Sequence, residues 1–182
     1  APAPAASAAA AKHDPFPGWI IAGSSPDKYD VTKDRDVHHV GATSAKLEAI
    51  GNPGNTFVTL MQSVVADKYL GKRVRFSAFV RTSGADGWAG LWLRIDRKGG
   101  AKGPFDNMQQ RPIKGTTDFK QYDVVLDVPQ DSVSVNFGIL LSGRGQAWFD
   151  GASLTVVPTS VPTTRGPDRA VNTAPLNLSL ED

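Results

Sequence analysis

In "GLWLRID", Trp92, Arg94 and Asp96 recur at every second residue, which sets an indole, a guanidinium and a carboxylate on one side of an extended chain. Arg75 in "KRVRFSAFVRT", Asn136 in "SVSVNFGILLS", Trp148 and Asp150 in "GQAWFDGASLTVV" and Gln62 in "TLMQ" hold the matching positions of other apolar-alternating runs. Together these residues make up the chemistry of sugar recognition. Aromatic rings cover the apolar faces of pyranoses, while planar amides and guanidiniums donate to paired hydroxyls. The same pattern also admits a structural network, with Arg94 and Asp96 as an ion pair and Arg75 paired across a strand with Asp123 or Asp127.

A second polar concentration is "FDNMQQRPIKGTTDF", residues 105 to 119. Asp106 and Asn107 suit side-chain-capped turns, and Met108 and Ile113 can act as apolar pins beneath them. Gln109, Gln110 and Arg111 exceed what a turn requires. The stretch therefore reads as a rim strand that offers Asn107, Gln109 and Arg111 to a ligand, and its alternative is a loop folded on itself. Thr116 and Thr117 read as local turn residues.

The histidines are His13, His38 and His39. Adjacent histidines on a strand face opposite ways, so His38 and His39 do not grip one metal together. Parity alone leaves open which of them shares the face of the Arg/Trp ledge, and the "HxGxxSA" pattern of the family resemblance given below favours His39. The chain has no Gly-x-Ser-x-Gly elbow, phosphate-binding loop, His-Glu-x-x-His or dinucleotide fingerprint. An enzymatic alternative would pair Asp96 with Asp150, or use His39 as a base with Arg94, in a glycan lyase, hydrolase or isomerase.

These residues must be positioned by strands, because no long stretch has helical periodicity. Val74, Phe76, Ala78 and Val80 alternate with polar residues, as do Ala89, Leu91, Leu93 and Ile95. Val124, Leu126 and Val128 form a third set, and Val133, Val135, Phe137, Ile139 and Leu141 a fourth. "TSAKLEAI" and "TFVTLMQSVVA" are shorter strands about the turn "GNPGN", and "SVVADKYLGK" allows a single helical turn. "SGADG", "RKGGAKGP", "KGTTD", "VPQD" and "SGRG" read as turns between strands. The expectation is an all-β fold, a two-sheet antiparallel β-sandwich or jelly roll over residues 16–157. A flexible Ala/Pro-rich leader over 1–15 precedes it, and a Pro/Thr-rich tail or strap over 158–182 follows.

The string from "GKRVRFSAFVRT" through "GWAGLWLRID" and "FDNMQQRPIKGTTDF" to "WFDGASLTVV" resembles the jelly-roll, carbohydrate-binding-module-like domains of bacteria, which also occur attached to regulators. The resemblance covers roughly residues 18–157. It implies a concave sheet face that binds a carbohydrate or small polar ligand. "WFDG" is similar to the "WFDDV" close of many such modules, with Gly151 in place of the second acid that a calcium site would use. No cofactor is expected, and structural calcium is the one ion that the resemblance leaves open.

Bulk properties narrow the classes further. At 182 residues with 40% hydrophobic content, the chain can bury a sizeable core. A formal charge of +2, spread without a dense basic run, gives no footprint for nucleic acid. The absence of cysteine excludes disulfides and thiolate chemistry. No apolar run reaches the roughly 20 residues of a membrane span. "APAPAASAAAAKHDP" reads as the mature end after small-residue cleavage, so a secreted, periplasmic or envelope location is expected, with the cytoplasm as the alternative.

Overall fold

The computed structural model describes residues 16–164. Nine strands follow in order: β1 Ile20–Gly23, β2 Tyr29–Asp34, β3 Ser44–Ala49, β4 Phe57–Val65, β5 Arg73–Arg97, β6 Phe105–Asp106, β7 Ile113–Asp127, β8 Ser132–Ser142 and β9 Gln146–Val157. All pairings are antiparallel, and the hydrogen-bonded path runs β1-β4-β8-β5-β9-β3-β2, with β6 and β7 also on β5. The expected helical turn is the short 3-10 segment Asp67–Tyr69.

β5 organises the molecule. Its residues 73–83 pair with β9, and 73–82 also pair with β7, whereas residues 88–97 pair with β8, and Leu93 and Arg94 with β6. One strand thus belongs to two layers: β7-β5-β9-β3-β2 on one side and β6-β5-β8-β4-β1 on the other. "SGADG" is therefore not a reversing turn. Register shifts between Val80 and Ala89 bend the strand there instead, with Gly84 at φ 59°. Thr116 and Thr117 are not local either. Thr117 Oγ1 accepts the Thr82 N–H at 3.2 Å and Thr116 Oγ1 accepts the Gly84 N–H at 3.1 Å, clamping the bend to β7.

The alternation predicts most of the core, but Val133, expected inward with Val135 to Leu141, is 45% exposed at the start of β8. Val74, Phe76, Ala78 and Val80 from the first half of β5 meet Leu91, Leu93, Ile95, Val135, Ile139 and Leu141 from the second layer, all fully buried. Each of these side chains other than Ala78 contributes roughly 1.5–3 kcal/mol on burial. Phe76 lies 5.0 Å from Phe137 and 6.3 Å from Phe149, ring to ring, so aromatics of both layers interlock. Trp19 closes one end, edge-on to Phe137 and Phe149. The expected leader over 1–15 lies outside the described residues. So does the tail beyond Thr164, but residues 158–164 form a strap across Arg73 and the free edge of β7. Arg73 Nη1 donates to the Thr159 and Val161 carbonyls. Thr164 exchanges bonds with both backbone groups of Val125, which covers an exposed strand edge.

Candidate functional site

Because β5 changes layers, the residues expected on one ledge divide between two opposed outer faces. Trp92, Arg94, Asp96 and Asn136 lie outside the second layer. Arg75, Trp148 and His39 lie outside the first. Gln62 is on neither: it sits opposite Phe137 on the inward side of β4, under the segment around Gly18.

Trp92 is not an open platform, being only 7% exposed. Its partner across the ladder is Gly138, and its indole N–H reaches past it to Thr59 Oγ1 on β4 at 2.8 Å. Thr59 in turn donates to the Ile139 carbonyl at 2.8 Å. Asn136 is also buried. Its amide donates to Asp96 Oδ2 at 2.9 Å, and its carbonyl oxygen accepts from Ser63 Oγ. Both side chains therefore tie strands together.

Further along the same face, a cleft of about 880 Å³ opens between β5 and the 100–111 segment. It gathers five of the nominated residues, Arg94, Asp96, Asn107, Gln109 and Arg111, and adds Phe105 and Gln110. Arg94 Nε and Nη2 donate to the two oxygens of Asp96 at 2.8 and 3.1 Å, so that pair is satisfied internally. Phe105, opposite Arg94, is 43% exposed, and Gln109 and Gln110 are exposed as well.

Both readings of "FDNMQQR" hold in part. The rim strand lasts two residues and then folds on itself. Asp106 Oδ1 accepts the Met108 N–H at 2.9 Å, Asn107 Oδ1 accepts the Gln109 N–H at 3.1 Å, and Met108 takes φ 59°. The pins are real: Met108 and Ile113 are buried. Asp106 is the buried hub, held by both Arg111 Nη groups at 3.1 and 2.7 Å and by the Thr164 hydroxyl at 2.6 Å. Burial alone would raise its carboxyl. The Arg111 fork, Thr164 and the Met108 N–H outweigh that and hold it below the usual carboxylate range. Arg111 is therefore a wall of the cleft with its guanidinium already engaged.

The opposite face is built differently. Lys46, Trp148 and Arg81 stand in register on β3, β9 and β5. The Lys46 and Arg81 cations lie 5.6 and 5.5 Å from the Trp148 ring, which is 6% exposed. Trp148 donates its indole N–H to Asp34 Oδ2 at 2.8 Å, which holds Asp34 below its ordinary range. Asp150 Oδ2 accepts the His39 and Val40 N–H groups at 2.7 and 2.8 Å and so pins the 35–43 loop to the sheet. That contact lays the exposed His39 ring 4.0 Å from Phe79 and 5.5 Å from Phe119. The expected cross-strand partner of Asp127 is Arg73, not Arg75.

The acid pair of the enzymatic alternative does not assemble, since Asp96 and Asp150 occupy opposite faces. His39 and Arg94 are separated in the same way. Among the described residues, no group of three His, Cys, Asp or Glu side chains is placed to share a metal ion.

With this geometry in view, the solved structures fall into place. The xylan-binding CBM22-1 domain of Paenibacillus barcinonensis Xyn10C superposes with TM-score 0.54 at 15% identity, over 77% of this chain and 86% of that one. TmCBM61, solved with β-1,4-galactotriose, gives 0.54 at 14% identity, over 78% and 90%. The fold is that of the carbohydrate-binding-module-like jelly rolls. No protein-family model matches the chain. In sequence, this jelly-roll chain is 41% identical over 169 residues to the uncharacterized HTH-type transcriptional regulator YbfP of Bacillus subtilis (strain 168). The match covers 91% of this chain and 57% of that relative, so the chain spans little more than half of the relative's length.

Sequence reasoning did not nominate Phe105, Gln110, Arg81 or Phe119 as site residues. The signal for Arg81 was present: it continues the Arg75, Ser77, Phe79 row. Phe119 could not be placed without the pairing of β5 with β7.

Proposed function

We propose that the domain is a non-catalytic binding module for a carbohydrate or similar polyhydroxylated ligand, held in the cleft between β5 and the 100–111 segment. The observation that carries this reading is the state of the cleft's charges. Arg94 is forked onto Asp96 and Arg111 onto Asp106, while the Phe105 ring and the Gln109 and Gln110 amides remain open. With its arginines and aspartates neutralised pairwise and Lys102 as the one further cation of the lining, the cleft suits hydroxyl groups and the apolar face of a sugar better than an anion. The fold shared with carbohydrate-binding modules supports the same class.

Titration calorimetry against a panel of neutral oligosaccharides tests the reading. Binding by the wild type that weakens in Phe105→Ala and Gln109→Ala supports it. An unresponsive panel, or binding that is indifferent to both changes, rejects it.

A second reading concerns the setting of that site. The 41% identical relative carries the name of a transcriptional regulator, which supports a sensory role in which the cleft reads an effector for the rest of a longer protein. This reading favours the cytoplasmic alternative over export. The described residues contain three short 3-10 turns and no helix-turn-helix.

A further inference from the structure

The outer face of β7-β5-β9 carries two guanidiniums that the fold leaves without a counter-ion. Arg73, Arg94, Arg97 and Arg111 are each forked onto an aspartate. Arg75 and Arg81 make no side-chain hydrogen bond or ion pair among the described residues. Their Nε atoms are the buried side-chain nitrogens there that lack a partner. A buried donor left unmade costs about 1–3 kcal/mol, so native proteins rarely keep one without a use. The neighbouring acids are engaged elsewhere and form no ion pair with either arginine. Asp150 is taken by the His39 and Val40 N–H groups, Asp34 by Trp148 and Glu48 by Lys46. Asp123, diagonal to Arg75, accepts from the Gln121 amide.

Between the two arginines the same row offers Ser77 and Phe79, with the exposed His39 ring against Phe79 and with Phe119 beyond it. The arginines stand six residues apart on one strand, about 20 Å at the usual rise. The face therefore alternates cation, aromatic ring and cation along a length that only an extended ligand fills.

We infer that this face is a second binding site, distinct from the cleft, for an acidic oligosaccharide whose sugar-ring carboxylates meet Arg75 and Arg81 while a pyranose rests on the exposed His39 ring stacked over Phe79. Carboxylates complement planar guanidiniums in a bidentate way, and a ring platform between them selects a sugar backbone over a simple anion. The inference does not depend on the cleft, because no residue of the row lines it.

The test is calorimetry of the full chain with an oligouronate, a neutral oligosaccharide of equal length and an oligoglutamate. The expected result is oligouronate binding that weakens at least tenfold in Arg75→Gln and in Arg81→Lys and falls as salt rises. Arg81→Lys keeps a cation beside Trp148, so a loss of affinity there with unchanged thermal stability is not a folding defect. No oligouronate binding, or binding unaffected by both arginine variants, overturns the site. Oligoglutamate binding as tightly at the same arginines overturns the sugar assignment.

Discussion

The sulfur of Met108 lies 3.3 Å from the backbone nitrogen of Leu91 and accepts its N–H. In the ladder of β5 and β6, where Leu93 faces Asp106, the next acceptor would be a carbonyl. The chain instead turns away at Met108 and covers that N–H with a thioether. One residue thereby ends the rim strand, seals the core edge and sets the wall of the cleft. Met108→Leu keeps the volume but removes the acceptor and should cost about 1 kcal/mol. Met108→Ala also opens a cavity and should cost about 2–5 kcal/mol. Urea denaturation of the two variants separates these effects.

Trp92 should behave as a strut. Trp92→Phe retains the packed ring but removes the donor to Thr59, so a loss of about 1–2 kcal/mol is expected in chemical denaturation. Glycan affinity should not change. Weakened binding at full stability would return Trp92 to the ligand site.

Phe105 and Gln109 should show the reverse pattern. Both are exposed, so replacing either with Ala should alter stability by no more than about 0.5 kcal/mol. Affinity for a cleft ligand should fall about tenfold for each, equivalent to about 1.4 kcal/mol. Calorimetry beside a thermal melt reads both quantities on one sample.

Asp106 gives the fold an acid-sensitive clasp. Its carboxyl is held below its unfolded value, so its contribution is complete above about pH 3.9 and is lost as pH falls through the lower folded value. Asp106→Asn should remove about 2–3 kcal/mol at neutral pH and flatten the stability curve below pH 4. Equal slopes in variant and wild type during acid titration would show that the clasp lies elsewhere.

The two-residue rhythm made the layers legible because burial on one face of a strand imposes it directly on the sequence. Val74 to Val80 and Leu91 to Ile95 announced themselves in this way. The identity of the two runs as one strand did not. "SGADG" has the composition of a turn, and only the pairing of Ala85 with Gly115 and Ala89 with Ile113 shows that the chain bends without reversing. That single misreading placed Trp92 and Arg75 on a common shelf. β2 was missed altogether, since "YDVTKD" has only Tyr29 fully buried and carries the charges Asp30, Lys33 and Asp34 among its other positions. The "FDNMQQR" segment was read well because Asp, Asn and the apolar pin act through neighbours two residues away, and such local chemistry is written in order along the chain.

A strand shared by both layers leaves the molecule no seam. No single cut parts one sheet from the other without severing a continuous run of backbone pairing, so neither half has an independent existence to fall back on. Unfolding is accordingly expected to be all-or-none, and a protease that nicks the bend near Gly84 would disable both outer faces at once.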